Sequence, residues 1–242
     1  MGEKFERAAG RRKPLKKRKD GGGVASAKGQ ETRERILDAA LEAFGEASFL
    51  AVTTRQIASA AAVSLPTLQY YFGDKEGLYR ACAKVIVERF RTHTAAAGES
   101  AAESLREGCS REIARSHLKA LMTALGKFLV GSNEPGRWAQ FVSRELRDPG
   151  PAFEILYAGL WRPGIELTAR LIANVSGVSD DDPAARIQAL LLIYGLLAFQ
   201  SGRKVSLRTM DWASIGPSEA ARVLSGVEAQ IDAIAESRTE RA

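Results

Sequence analysis

The stretch TTRQIASAAAVSLPTLQYYFGDKEGLY, residues 53–79, decides the fold of this chain. Thr53 is a good helix cap, and Gln56 three residues later completes a capping box. Ser64 repeats the cap signal, and Pro66 falls in the first turn of the helix that follows, where a missing N–H does not matter. The stretch therefore predicts two short helices joined by a tight turn.

The next helix begins directly after this pair. Gly73 can end the second short helix and Asp74 can cap the long helix after it. Two short helices at a tight turn, between longer ones, form a helix-turn-helix, whose second helix can enter the major groove of DNA.

The second short helix has an inner and an outer face. Leu68 and Phe72 are one helical step apart and are expected to point inward. The outer side chains include Gln and Thr, which can read base edges, and Tyr, which can bond phosphate. The alternative is a packed helical hairpin with no role on DNA. The predicted DNA-binding residues are Thr54, Arg55, Ser64, Leu65, Pro66, Thr67, Gln69, Tyr70, Tyr71 and Lys75.

The stretch resembles the DNA-binding motif of the tetracycline-repressor (TetR) family of bacterial regulators, over residues 31–80. The resemblance implies a transcriptional regulator that acts as a homodimer, most often a repressor released from a near-palindromic operator by a small molecule. The chain departs from the family at Ala62 and Pro66, where glycines are common, and at Gln69, where tyrosine is common. The matching residues are Thr53-Thr54-Arg55, Ile57-Ala58, Ala61, Val63-Ser64, Thr67-Leu68, Tyr71-Phe72, Lys75-Glu76 and Leu78.

A second resemblance lies further along the chain. Arg144-Glu145-x-x-x-Pro149, followed by Phe153 and by LYAGLWRP at 156–163, is similar to the C-terminal domain of the CecR-like subgroup. In that family these domains sense toxic small molecules. From the residues themselves we interpret Arg144 and Glu145 as a structural ion pair rather than as ligand contacts.

The basic character of the chain is concentrated at its N-terminus. The 242 residues carry a net charge of +6, of which +7 falls in residues 1–30 and −1 in the rest. Residues 11–29 contain almost no large apolar side chains, so we predict a disordered basic tail over 1–30. The tail is either a solvated extension or an arm that contacts DNA phosphates. The predicted domains are 31–80 for DNA binding and 81–242 for ligand binding and dimerisation.

The composition indicates a cytoplasmic protein without metal. The two cysteines, Cys82 and Cys109, have no zinc or disulfide spacing. We expect no signal peptide, and the apolar run 187–199 is too short to span a bilayer, so no membrane partner is expected. SDDDP at 179–183 reads better as a helix cap than as a metal site.

Helical periodicity continues through the chain, and no stretch alternates with period two, so the predicted fold is all-α. A helix begins at Glu31, a break covers Ser206–Pro217, and Trp161-Arg162-Pro163 is expected to interrupt one helix. The further predicted helices are 54–61, 65–72, 75–97, 103–131, 135–147, 151–175, 183–201 and 217–236.

Aromatic residues gather on three consecutive helices of the larger half. Each alone is more often core, but together they predict an apolar ligand pocket, because such pockets are apolar with a few polar groups. Ligand binding is expected to tilt helix 75–97 and so to disturb the spacing of two recognition helices. The predicted ligand-binding residues are His117, Met122, Phe128, Trp138, Phe141, Phe153, Tyr157 and Trp161.

The last two helices predict a homodimer, with packing inside one subunit as the alternative. The first presents Leu190, Leu191, Tyr194, Leu197 and Ala198, and the second presents Ala220, Val223, Val227, Ile231 and Ile234.

No enzyme is indicated by the sequence. The chain contains none of the phosphate-loop, nucleophile-elbow or zinc-protease motifs, and we expect no cofactor. Two functions remain: a ligand-responsive DNA-binding regulator, repressor or activator, or a non-enzymatic helical interaction module.

Overall fold

The computed structural model describes residues 22–131 and 135–236, with side chains for 27–131 and 138–236. Every regular element in these ranges is helical, which confirms the all-α prediction. The elements are α1 Gly22–Glu46, α2 Thr54–Ala60, α3 Leu65–Phe72, α4 Lys75–Arg106, α5 Arg111–Leu129, α6 Pro135–Arg147, α7 Phe153–Leu156, a π-helical turn Tyr157–Trp161, α8 Arg162–Ser176, α9 Pro183–Ser201, α10 Arg203–Met210 and α11 Pro217–Glu236.

The first helix is longer than the sequence predicts. It begins at Gly22 rather than at Glu31, so disorder over the whole of 1–30 is wrong for residues 22–30, while residues 1–21 lie outside the described part. Two i,i+4 bonds support the extension: Thr32 donates to the carbonyl of Lys28, and Gln30 donates to Glu34.

The fourth helix also exceeds its predicted end at residue 97 and continues to Arg106. The fifth begins later than predicted, because Gly108 adopts a φ of +76° and Ser110 caps α5 by accepting from the amide of Ile113. Gly98 is tolerated within α4 because alanine, a strong helix former, lies on both sides of it.

The predicted interruption before Pro163 takes the form of a π-helical turn. Residues Tyr157–Trp161 add an extra backbone residue to the helical path, and Pro163 then occupies the first turn of α8. Gly159 lies within the turn at its contact with α4, where an added Cβ would lie only 2.6 Å from Cγ1 of Val87.

The segment before α9 acts as a cap. Asp182 accepts from the amide of Ala184, while Asp180 pairs with Arg170 and Asp181 pairs with Arg186. The predicted break at Ser206–Pro217 is only half right, because residues 203–210 form α10. That helix was missed because it has no buried residue and hence no apolar stripe.

Two hydrophobic clusters hold the helices together. The first joins α1, α2, α3 and the beginning of α4 to residues of α5, α6 and α7, including Phe128, Phe141 and Leu156. The second joins α5, α8, α9 and α11. The predicted domain boundary at residue 80 falls inside α4, where the first cluster runs on without a gap; the boundary stays a prediction.

Candidate DNA-binding surface and ligand cavity

Both short helices of the opening stretch are capped as the sequence indicates. The hydroxyl of Thr53 accepts from the amide of Gln56 at 3.3 Å, and Oε1 of Gln56 accepts from the amide of Thr53 at 2.8 Å. Ser64 accepts from the amide of Thr67 at 3.2 Å, and their hydroxyls lie 2.8 Å apart. These local bonds fix where α3 begins.

The turn between α2 and α3 requires a left-handed residue. Ala62 has a φ of +51°, a region that glycine adopts without the steric cost that a Cβ brings. The turn between α2 and α3 is therefore present as in the TetR-like motif, although Ala62 stands where that family commonly has glycine.

The outer face of α3 is polar and aromatic. Leu68 and Phe72 are buried, whereas Pro66, Gln69 and Tyr70 are exposed, with Tyr70 at 83%. A helix with this exposed face presents hydrogen-bonding side chains of the kind that read base edges and phosphates.

Other predicted DNA-binding residues have internal partners. Nζ of Lys75 donates to the carbonyl of Leu50 at 3.3 Å and lies 4.7 Å from the ring centroid of Phe49. Tyr71 is half-buried, and its hydroxyl lies against Gly29 of α1. Arg55 is exposed, and Thr54, Leu65 and Thr67 are half-buried.

An apolar cavity of about 340 Å³ lies in the larger half of the molecule. No charged residue of the described chain lines it. Its walls are rings in mutual contact: Phe128 lies 5.2 Å from Trp138, and Phe153 lies 5.5 Å from Trp161, between centroids. Five of the eight predicted ligand-binding residues line this cavity, namely Phe128, Trp138, Phe153, Tyr157 and Trp161.

The other three predicted residues lie elsewhere. Phe141 is fully buried and packs on Tyr79 of α4, with centroids 4.5 Å apart. Met122 lines an adjoining, more open pocket of about 440 Å³, and His117 lines neither of these pockets. His117 precedes Phe128 by eleven residues on α5, about three helical turns, so the two share a face of the helix but lie about 16.5 Å apart along its axis.

Sequence reasoning missed much of the cavity wall. Val142 and Leu146 follow Trp138 at steps of four, a signal that was available in the sequence. The residues from α4 and α9 carry no such signal, because their approach depends on tertiary packing. The missed residues include Phe90, Val142, Leu146, Ile193, Tyr194 and Gln200.

A buried carboxylate joins α6 to α4. Glu145 is 2% exposed and accepts from the hydroxyl of Tyr79 at 2.7 Å and from the amide of Gly150 at 3.0 Å. Arg144 instead donates from Nη2 to the carbonyl of Gly45 at the end of α1. The predicted Arg144–Glu145 ion pair is therefore wrong within the described residues, because each side chain has a partner on a different helix.

Helix α6 thus has two working faces. Trp138, Val142 and Leu146 line the cavity, while Phe141 and Glu145 contact α4. Within each of these two sets, successive residues are four positions apart along the helix. A change in the cavity and a change at the start of α4 therefore act on the same helix.

Two family profiles match the chain. Residues 36–82 match the profile described as bacterial regulatory proteins, tetR family, and residues 114–237 match that of the C-terminal domain of the HTH-type transcriptional dual regulator CecR. The second match covers more than half of the chain. The chain belongs to the TetR family. It is a ligand-responsive, DNA-binding transcriptional regulator with a CecR-type C-terminal domain.

Relatives and solved structures agree with this assignment. The CecR protein of Shigella flexneri is 29% identical over 219 residues, 88% of this chain and 96% of the relative. In fold, the chain is similar to a transcriptional regulator from Pseudomonas aeruginosa PAO1, with a TM-score of 0.63, 16% identity and 88% and 94% of the two chains covered. It is also similar to the FadR regulator of Bacillus subtilis in complex with stearoyl-CoA, with a TM-score of 0.53, 16% identity and 84% and 97% covered.

One helix of this TetR-family chain has an unusually apolar exposed side. Ile187, Leu191 and Tyr194 of α9 are each more than half exposed, while Ala189 and Leu196 on its other side are buried. By length and composition α9 could cross a membrane, and only 22% of its span is buried. The apolar run 187–199 forms the central part of this 19-residue helix, in which Arg186 is the only charged residue, and the expected absence of a membrane partner stays a prediction.

Proposed function

We propose that the chain is a repressor that binds a near-palindromic operator as a homodimer and leaves it when a small molecule enters the aromatic cavity. The observation that carries the proposal is the double role of α6, which lines the cavity and contacts the DNA-binding unit. DNA recognition and ligand sensing need such a shared element if one is to affect the other.

The DNA contacts are assigned by exposure. Gln69, Tyr70 and Pro66 protrude from α3 and meet bases and phosphates, with Thr67, Leu65 and Tyr71 at the edges of the contact. Arg55 and Thr54 meet the backbone from the start of α2. Ser64 and Lys75 act by positioning, because Ser64 caps α3 and Lys75 holds the loop before α2.

A second copy of the chain is the proposed occupant of the exposed face of α9. The stripe predicted for α11 does not contribute most of this interface, because Ala220, Val223, Val227 and Ile231 are buried inside the subunit. That part of the dimer prediction is corrected, and α9 with the outer side of α11 takes its place. A twofold dimer would set the recognition helices about 34–36 Å apart or a multiple of this.

A membrane is the less favoured occupant of the same face. The opposite side of α9 is packed into the second hydrophobic cluster through Ala185, Ala189, Leu192 and Leu196. A cytoplasmic location and the absence of an enzymatic step belong to the proposal.

The signal passes through α6. A ligand that pushes on Trp138 or Val142 moves a helix that also carries Phe141 and Glu145, both in contact with Tyr79. Movement of Tyr79 changes the orientation of α4 and hence the spacing of the two recognition helices. The ligand shifts operator affinity only if it binds the two arrangements with different affinity.

The experiment begins with selection of a preferred duplex from a random DNA library. We expect the selected site to be a near-palindrome, and Gln69→Ala to lose about tenfold in affinity for it, since a good contact to a base edge contributes about 1–3 kcal/mol. The exposed Ser116→Ala on α5 is the matched control and should bind like the wild type.

Selection that yields no preferred sequence would support the helical interaction module instead. A reporter assay with the selected site decides between repressor and activator, a distinction of interest because the Shigella flexneri relative is named a dual regulator. Compounds that release the wild type from DNA should fail to release Val142→Phe, in which an added ring fills the cavity.

A further inference from the structure

A basic groove lies beside the aromatic cavity. It has a volume of about 860 Å³ and lies between α6 and the junction of α9 with α10. Arg144, Arg147, Arg203 and Lys204 line it. Within the described part of the chain no acidic residue lines the groove, and Arg147, Arg203 and Lys204 form no ion pair.

The groove and the cavity adjoin. Leu129, Ala139 and Gln200 line both, so the two spaces share a wall, and a molecule that moves these side chains aside would occupy both. The two spaces differ in chemistry, because one is apolar without a charged wall and the other is cationic. A charged group would not enter the cavity without a partner, and an apolar chain gains little in the groove.

Arg144 has hydrogen-bonding capacity to spare. Its Nη2 donates to the carbonyl of Gly45, but its Nε is buried and has no hydrogen-bond partner among the described residues. A guanidinium carries five N–H donors and binds phosphate or carboxylate in a two-pronged geometry. The groove is therefore lined by four cations, one of which, Arg144, also carries a buried Nε without a partner among the described residues.

We propose that the effector is an amphipathic anion, with an apolar body in the cavity and a phosphate or carboxylate head group in the basic groove. This inference rests on the proposed function, because it names the chemical class of the molecule that the cavity senses. The head group also reaches the DNA-binding unit, since Arg144 is bonded to the end of α1.

The test uses a matched set of ten-carbon probes below their micelle range: decyl phosphate, decanoate, decanol and decyltrimethylammonium. Binding of each to the full chain is measured by isothermal titration calorimetry, with inorganic phosphate as a further arm. We expect the two anions to bind about tenfold more tightly than decanol, since charge-assisted hydrogen bonds contribute on this scale. The cation should bind more weakly than decanol.

The variant Arg147→Gln/Lys204→Gln should remove the preference for the anions and leave decanol binding and effector-free operator affinity unchanged. The matched control is Arg106→Gln/Arg111→Gln, which alters two exposed arginines at the junction of α4 and α5. Arg111 begins α5, about 27 Å along the helix from the groove residue Leu129.

Several outcomes would overturn the inference. Equal affinity for decanol and decyl phosphate would support the cavity as a ligand site but show that the groove does not bind the head group. Inorganic phosphate that binds as tightly as decyl phosphate would show an independent anion site. A loss of effector-free operator affinity in the groove variant would assign the groove to DNA. If none of the ten-carbon probes binds, the cavity assignment itself fails, which is the failure of the proposed function.

Discussion

Glu145 and Tyr79 show how two single residues connect the halves of the molecule. Burial, followed by the hydrogen bond to Glu145, raises the pKa of the Tyr79 phenol far above its ordinary value. The hydroxyl therefore remains protonated and continues to donate to the carboxylate throughout the physiological pH range. Glu145 is left with two good donors, the tyrosine and the amide of Gly150.

Tyr79→Phe should destabilise the protein by about 1–3 kcal/mol, because the buried carboxylate loses a donor that water cannot replace. Urea denaturation measures the change. Tyr70→Phe, which alters a tyrosine that is 83% exposed, is the control and should change stability by less than about 0.5 kcal/mol.

The variant Glu145→Gln tests whether the loss in Tyr79→Phe comes from the hydrogen bond to Glu145. If the pair acts as a unit, Tyr79→Phe should cost much less in the background of Glu145→Gln, as a double-mutant cycle would show. Equal costs in both backgrounds would mean that the hydroxyl contributes through packing alone.

The separation in sequence between hydrogen-bond partners decides which of these contacts could be predicted from the sequence. Thr53 and Ser64 were recognised as caps because their partners lie three residues away. The bond from Tyr79 to Glu145 joins residues 66 positions apart, and no local pattern marks it. Reasoning from neighbours paired Glu145 with the adjacent Arg144, which was wrong.

At the scale of the secondary-structure element, the π-helical turn Tyr157–Trp161 packs closely against α4. Gly159 gives it room, because a Cβ there would lie 2.6 Å and 2.9 Å from the two methyl carbons of Val87. Val87 lies on the helix that leads to the recognition unit. Any side chain at residue 159 therefore pushes on α4 from the side of the ligand domain.

Gly159→Ala should lower operator affinity in the absence of effector and destabilise the protein by about 1–3 kcal/mol, as overpacking commonly does. Fluorescence anisotropy with the selected operator and thermal unfolding measure the two effects. Gly98→Ala on α4 is the matched control, since the added Cβ would meet only Leu167, at an ordinary 3.8 Å.

In the control, alanine should slightly stabilise the helix. Full operator affinity in Gly159→Ala would show that α4 absorbs the pressure without moving the recognition helices.

Helices were predicted well where caps and apolar periods agree, as in α2, α3, α9 and α11. They were misjudged where composition misled: alanine-rich sequence carries α4 past its expected end, and α10 forms without any buried stripe. The cavity was also only partly predictable from the sequence. Its α6 residues follow a local period, but those of α4 and α9 reach the cavity only through tertiary packing.

At the scale of the whole molecule, α9 leaves an apolar face that its own subunit does not cover. Leu191→Asp changes a side chain that is 61% exposed, so the subunit should fold while the dimer is lost. We expect a monomer by sedimentation velocity and little binding to the two-half-site operator, since each single half-site binds weakly.

Ile113→Asp, an exposed apolar residue on α5, should remain dimeric and bind DNA normally. A dimeric Leu191→Asp protein would place the subunit interface elsewhere. A monomer with unchanged operator affinity would remove dimerisation from the mechanism.

The cluster that spans both halves also encloses Cys82, which is fully buried on α4. Burial raises the pKa of its thiol above the ordinary range, and thiol reagents attack the thiolate, so the native protein shields this sulfur twice. The rate at which a reagent modifies Cys82 therefore reports how often the shared core opens. Compared with and without operator DNA, that rate separates a regulator that switches as a rigid body from one that must loosen its interior first.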